Sequence, residues 1–265
     1  MRRTLSATLA LVVAGVVPVA CTDSATKSTE PSSGQSTEQS SGTADGSDPF
    51  GFTSARDDGR VEIGHLQVPI DYDDPSQGTF DLYVARHLAD PDLRIGSLLV
   101  NPGGPGFGGS RFAINAENVY SEDLLAHFDI IGWDPRGTGR TEPAIDCIDD
   151  YDHFYAGSDI TPDDPAERQQ IIDVAQEFAD ACTTKNAAII EHVGTNDTAR
   201  DMNSIREALG EDKISYFGFS YGSELGATWA TLFPDTVRAA VLDGAADPDA
   251  GMVEATVQQM TGFEG

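Results

Sequence analysis

Ile214-Ser215-Tyr216-Phe217-Gly218-Phe219-Ser220-Tyr221-Gly222-Ser223-Glu224-Leu225-Gly226 is the stretch on which the reading of this chain turns. Ile214 to Phe217 has the composition of a short strand, and Tyr221 to Leu232, stopped by Pro234, that of a helix. Gly218-x-Ser220-x-Gly222 sits at the junction. At such a turn the serine is forced into a strained backbone conformation with its hydroxyl above the sheet, and small residues at 218 and 222 let strand and helix approach closely. The helix directs unpaired N–H groups and the positive end of its dipole toward the same spot, which favours an oxyanion there. Ser220 is the candidate nucleophile, and the Tyr221 N–H a candidate oxyanion donor.

Working outward, Ser97-Leu98-Leu99-Val100 and Phe128 to Trp133 are short, nearly continuous apolar runs, as expected of parallel strands covered on both faces; Val237 to Leu242 continues the series. Earlier, Val61, Ile63, Leu66, Val68 and Ile70 alternate with polar residues. Phe80, Leu82 and Val84 repeat the pattern after the Asp74 to Gly78 turn, which predicts an antiparallel opening pair. Helices are predicted over Pro165–Cys182, Ala199–Leu209 and Tyr221–Leu232. Strands alternating with helices imply an α/β fold: a mostly parallel sheet with helices on both faces.

Two glycine-rich loops follow strands of that sheet. In Asn101-Pro102-Gly103-Gly104-Pro105-Gly106 the main chain can face a reacting carbonyl without side-chain obstruction, and a second oxyanion donor belongs there. Pro105 has no N–H, so the donor is Gly104 or, failing that, Gly103. Asp134-Pro135-Arg136-Gly137-Thr138-Gly139-Arg140 reads as a loop braced by its own Asp and Arg rather than one that touches substrate.

Taken together, the Gly-Gly-Pro-Gly turn, the Asp-x-Arg-Gly-x-Gly loop and the Gly-x-Ser-x-Gly turn resemble the α/β-hydrolase fold, and within it the prolyl-iminopeptidase and secreted tripeptidyl-aminopeptidase family. Tyr216 to Gly226 and Val241-Leu242-Asp243-Gly244-Ala245 are especially similar to the exported tripeptidyl aminopeptidases. The resemblance implies that Ser220 is the nucleophile, that the Tyr221 and Gly104 N–H groups form the oxyanion hole, that the substrate is a peptide entered from its amino end, and that no cofactor or metal is used.

In this fold the triad runs Ser, then Asp or Glu, then His. No histidine follows Ser220: the five are His65, His87, His127, His153 and His192, and they read as surface or packing residues. Asp243, at the end of the strand after the elbow helix, is a candidate acid. After it come Pro248 and an amphipathic run of Met252, Val253, Val257 and Met260, where the resembled family continues with a lid and two further strands. The expectation is that residues 50–265 are the amino-terminal portion of an α/β-hydrolase domain, with a carboxy-terminal half encoded separately as a possible partner.

The amino terminus predicts export. Met1-Arg2-Arg3 is a positive start, Leu5 to Val17 is apolar, and Pro18-Val19-Ala20-Cys21 follows, so residues 1–20 read as a signal peptide too short to span a membrane. Ala20-Cys21 resembles a lipobox, which makes Cys21 the expected lipidation site and the only membrane attachment; the protein is expected on the outer face of the cell membrane as a lipoprotein, or secreted. Residues 21–49 are almost entirely small and polar, a flexible linker. Cys147 and Cys182 remain as an even pair in an oxidising compartment and are expected to form a disulfide.

With 44 acidic against 16 basic residues, the net charge of −28 repels phosphate backbones and excludes nucleic-acid binding. Two function classes stand: an exported serine aminopeptidase, with a broader esterase as its variant, and a catalytically inactive lipoprotein remnant or peptide-binding module.

Overall fold

Each period seen in the sequence yields the strand it predicts. The computed structural model describes residues 48–155, 161–245 and 250–264. The expected signal peptide, Cys21 and residues 21–47 of the linker lie outside the described residues. The strands are β1 (Thr53–Ser54), β2 (Val61–Pro69), β3 (Thr79–His87), β4 (Gly96–Asn101), β5 (Phe128–Trp133), β6 (Ile214–Phe219) and β7 (Val237–Asp243). The helices are α1 (Ser110–Ile114), α2 (Glu122–His127), α3 (Tyr151–Tyr155), α4 (Pro165–Lys185), α5 (Thr195–Ala208), α6 (Tyr221–Leu232) and α7 (Met252–Glu264).

They form one seven-stranded sheet in the order β1-β2-β3-β5-β4-β6-β7. The β2–β3 pair is antiparallel, with Val61 opposite His87 and Pro69 opposite Thr79, while β5, β4, β6 and β7 run parallel. Successive side chains of a strand point to opposite faces. Leu99 and Ile131 therefore join Phe80, Leu82, Met202 and Trp229 beneath α5 and α6, whereas Leu98, Val100 and Ile130 pack with Ala113, Ala116 and Tyr120 on the α1 side. Burying each large apolar side chain contributes about 1.5–3 kcal/mol.

Two helix boundaries differ from the sequence reading. α4 continues through Lys185, whose ammonium meets Asp146 and Asp149 at 2.8 and 2.9 Å. Its start is fixed by a capping box, in which Asp164 accepts from the Glu167 N–H and the Glu167 carboxylate accepts from the Asp164 N–H. α5 begins at Thr195 rather than Ala199, because the polar turn Thr195-Asn196-Asp197 carries no apolar period to betray it, although Asp197 suits the positive helix end. The two-residue β1 and the short α1, α2 and α3 hold too few residues for a period to show. Cys147 and Cys182 are disulfide-bonded across 35 residues. That closure stabilises by roughly 3–4 kcal/mol through the denatured chain, and it tethers a helix that has no fully buried residue.

Candidate active site

β6 ends at Phe219 and α6 begins at Tyr221, leaving Ser220 alone to turn the chain. It does so at φ 51° and ψ −124°, and it is the one non-glycine residue with positive φ among the described residues. A side chain held there costs on the order of 1–3 kcal/mol and persists only where the surroundings over-determine it. Here they do. The Ser220 N–H donates to the Asp243 carbonyl at 2.8 Å, and the Ser220 carbonyl accepts from the Ser223 N–H at 2.8 Å. A Cβ on Gly218 would collide with the Gly222 carbonyl oxygen, the same atom that accepts from the Tyr216 hydroxyl at 2.7 Å. Ser220 itself is exposed.

The Asn101–Gly106 loop closes over this turn. A Cβ on Gly103, which has φ 95°, would lie 3.1 Å from both the Ser220 Cβ and the Tyr221 nitrogen, so the backbone there passes directly against the serine. The Asn101 side-chain oxygen accepts the Gly103 N–H at 2.8 Å, which commits that donor. The Gly104 N–H has no partner among the described residues, as an oxyanion donor requires. Of the two glycines the sequence left open, Gly104 is thus the one with a free donor. The Tyr221 N–H, first of α6, has no helical acceptor. The Tyr221 phenol is pushed up in pKa by burial and bonds Thr195 Oγ1 at 2.8 Å, so it is a neutral wall group.

Residues 96–265 match the family described as alpha/beta hydrolase fold. The chain belongs to that family. Serine protease Hip1 of Mycobacterium tuberculosis (strain ATCC 25618 / H37Rv) is 39% identical over 208 residues, 78% of this chain and 40% of that protein. Tripeptidyl aminopeptidase of Streptomyces lividans is 37% identical over 213 residues, 77% and 39% of the two chains. Carboxylesterase B of the same Mycobacterium tuberculosis strain is 35% identical over 202 residues, 75% and 39%. This hydrolase-family chain spans about two fifths of the length of those relatives.

The Asp134–Arg140 loop braces the site from beneath. Asp134 accepts the Ser110 and Arg140 N–H groups at 3.2 and 2.9 Å. Arg136 is fully buried and gives Nε and Nη2 to the two oxygens of Asp201 at 2.8 and 2.6 Å, with its remaining donors on the Ile70, His192 and Pro69 carbonyls. Tyr72 adds its hydroxyl to Asp201 at 2.8 Å. Sequence reasoning missed Asp201; its only signal was an acid flanked by the apolar Ala199, Met202 and Ile205 on one helix. It also missed Asn101 as the residue that orients the glycine loop.

Among the described residues no hydrogen bond or ion pair joins a histidine to Ser220, and buried His87 has neither ring nitrogen hydrogen-bonded. His65 Nδ1 meets Asp81 at 2.8 Å, His127 Nδ1 meets the Asp123 carbonyl at 2.8 Å, and buried His87 lies 3.7 Å from Glu117. The His153 side chain lies outside the described residues. Asp243 contributes its backbone carbonyl to the elbow, while its exposed carboxylate has no hydrogen-bond partner among the described residues. Among the described residues no cluster of three or more His, Cys, Asp or Glu could hold a metal ion, and no helix is long and apolar enough to cross a membrane.

Proposed function

We propose that this chain carries the nucleophile and oxyanion hole of a serine hydrolase acting on peptides from their amino end, exported and anchored through lipid on Cys21 or released outside the cell. The observation that carries the reading is Ser220 at φ 51° on a strand-to-helix turn with the Gly103 backbone against it. In this mechanism Ser220 Oγ attacks the scissile carbonyl carbon and gives its proton to a general base. The resulting oxyanion accepts from the Tyr221 and Gly104 N–H groups, fixed before the charge develops, at the positive end of α6. Collapse expels the amine, and water then releases the acyl group. Asp243 is the candidate acid. The histidine base is assigned to the part of the longer relatives that does not align with this chain, so a carboxy-terminal half is a partner in the reading. The likeness to carboxylesterase B favours a second, ester-cleaving reading with the same Ser220 chemistry.

Fluorophosphonate labelling tests the proposal. Label is expected on Ser220, absent in Ser220→Ala, and slow in the 265-residue chain, since oxyanion stabilisation and binding alone leave roughly 10³–10⁴ over water in a well-studied serine protease. Rapid labelling would show a base among these residues. No labelling at all would favour the peptide-binding remnant.

A further inference from the structure

Beside the elbow lies a cleft of about 800 Å³ that the mechanism above does not use. Its walls include Pro102, Phe107, Arg111, Phe112, Ile114 and Arg140. Pro102 is the residue before Gly103, which packs on Ser220, and the Phe112 ring lies 6.0 Å from that of Phe219, the residue before Ser220. The cleft therefore lies next to the residues that flank the elbow.

Two guanidinium groups line it without a carboxylate partner. Among the described arginines, Arg56, Arg86, Arg94, Arg136, Arg200, Arg206 and Arg238 pair with a carboxylate, and two of the four that do not, Arg111 and Arg140, share this cleft. Arg111 has no hydrogen-bond or ion-pair partner for its guanidinium among the described residues. Arg140 is held by neutral groups: Nη1 donates to the Tyr83 hydroxyl at 2.7 Å, and the guanidinium lies 5.1 Å from that ring's centre. Asp134, which also lines the cleft, is 4% exposed and has both oxygens accepting backbone N–H groups, so it leaves the guanidinium forks free. Phe107, 67% exposed, adds an apolar surface beside them.

We propose that this cleft receives a carboxylate carried next to an apolar side chain of the substrate, with Arg111 and Arg140 as specificity-determining residues. The inference rests on the reading of Ser220 as nucleophile. Planar guanidinium forks match a carboxylate in two parallel hydrogen bonds, and Phe107 and Phe112 would cover the adjoining side chain. In a protein whose overall field repels anions, two cations without a direct carboxylate partner make such a group selective rather than merely tolerated. The carboxylate has two sources: the carboxy terminus of a short peptide, or a Glu or Asp side chain.

Calorimetric titration of the Ser220→Ala chain, which removes turnover, separates them. The probes are acetyl-Ala-Phe, its carboxy-terminal amide, and acetyl-Glu-Phe-amide. A charged hydrogen-bond pair predicts that one of the two carboxylates binds about tenfold or more tighter than the neutral amide. Terminal recognition favours the first probe and side-chain recognition the third. Arg111→Gln and Arg140→Gln should each shrink the preference, and Arg111→Lys should retain part of it. Because Arg140 also stacks on Tyr83, Arg111→Gln, on an exposed side chain, is the decisive variant if Arg140→Gln melts early. Equal binding of all three probes, or a preference that survives Arg111→Gln unchanged, overturns the subsite. Wild-type Ser220 labelling is read in parallel. Labelling without carboxylate preference removes the subsite alone, whereas preference without labelling removes the hydrolase reading and leaves a carboxylate-binding cleft.

Discussion

On the β2–β3 flank of the sheet, Arg136 and Asp201 are both wholly buried and every donor of the pair has a named acceptor, whereas at the other flank six of the seven residues of β7 are exposed. Leu99 on the interior strand β4 is 0% exposed; Val241 and Leu242 on β7, of the same apolar character, are 51% and 38% exposed. Amino-acid type is the same in both places and burial is not. Apolar composition gives a segment the capacity to be an interior strand, and neighbours on both edges and both faces realise it.

The largest effect is expected on the closed flank. Arg136→Met leaves the Asp201 carboxylate buried without its cation, which typically costs 3–5 kcal/mol. That is a large share of a usual net stability of about 5–15 kcal/mol. The double variant Arg136→Met with Asp201→Leu should be less destabilised than Arg136→Met alone, because the uncompensated charge is gone. Recovery will be incomplete, since the Ile70, His192 and Pro69 carbonyls also lose their donor. Chemical denaturation of the two variants decides it: a double variant as unstable as the single would mean that the carbonyls, not the ion pair, hold the loop.

Paired leucines measure the contrast directly. Leu99→Ala should cost about 2–5 kcal/mol through lost burial and cavity, and Leu242→Ala about 1 kcal/mol or less, as for a surface site. The exposed apolar edge of β7 should also self-associate, and α7 adds Val253, Val257 and Met260 at 78%, 56% and 62% exposure. Val241→Lys is expected to reduce association in sedimentation experiments. A monodisperse wild-type monomer with a cooperative melt, or equal costs at Leu99 and Leu242, would show that β7 is as well covered as β4.

Legibility followed the same divide. The strands were readable because burial on two faces writes a continuous apolar run and burial on one face writes alternation, as at Leu98–Val100 and Leu66–Ile70. Ser220 was readable because a strained turn leaves only small residues beside it. Asp201 was not, because its burial depends on Arg136, 65 residues away in sequence, and no local period records a partner that distant. The committed Gly103 N–H was equally hidden, for it depends on which way the Asn101 side chain turns. The exposure of Val241 could not be read from its own composition either, since a parallel strand looks the same whether or not its second edge is paired.

The smallest effect lies at the seam between the flanks. Ser220 follows the last residue of β6, yet its N–H is held by the Asp243 carbonyl of β7, so the strained residue is clamped partly by the open flank. Ser220→Gly should relieve a positive-φ penalty on the order of 1–3 kcal/mol. It should give back about 0.5–1 kcal/mol in chain entropy. The net is a gain of about 1 kcal/mol, or about 2–4 °C in melting temperature for a domain of this size. Ser220→Ala retains the Cβ and therefore the strain, and should melt with the wild type. Both lack the hydroxyl and should lose labelling, so the difference between them isolates backbone strain from the loss of the hydroxyl. If β7 frays in solution, the Asp243 clamp opens, Ser220 relaxes toward an ordinary conformation, and the glycine advantage disappears. Equal melting temperatures for the two variants would therefore place the weakness of the open flank at Ser220 itself, while a clear gain for glycine would show that the elbow stays strained beside a largely exposed strand.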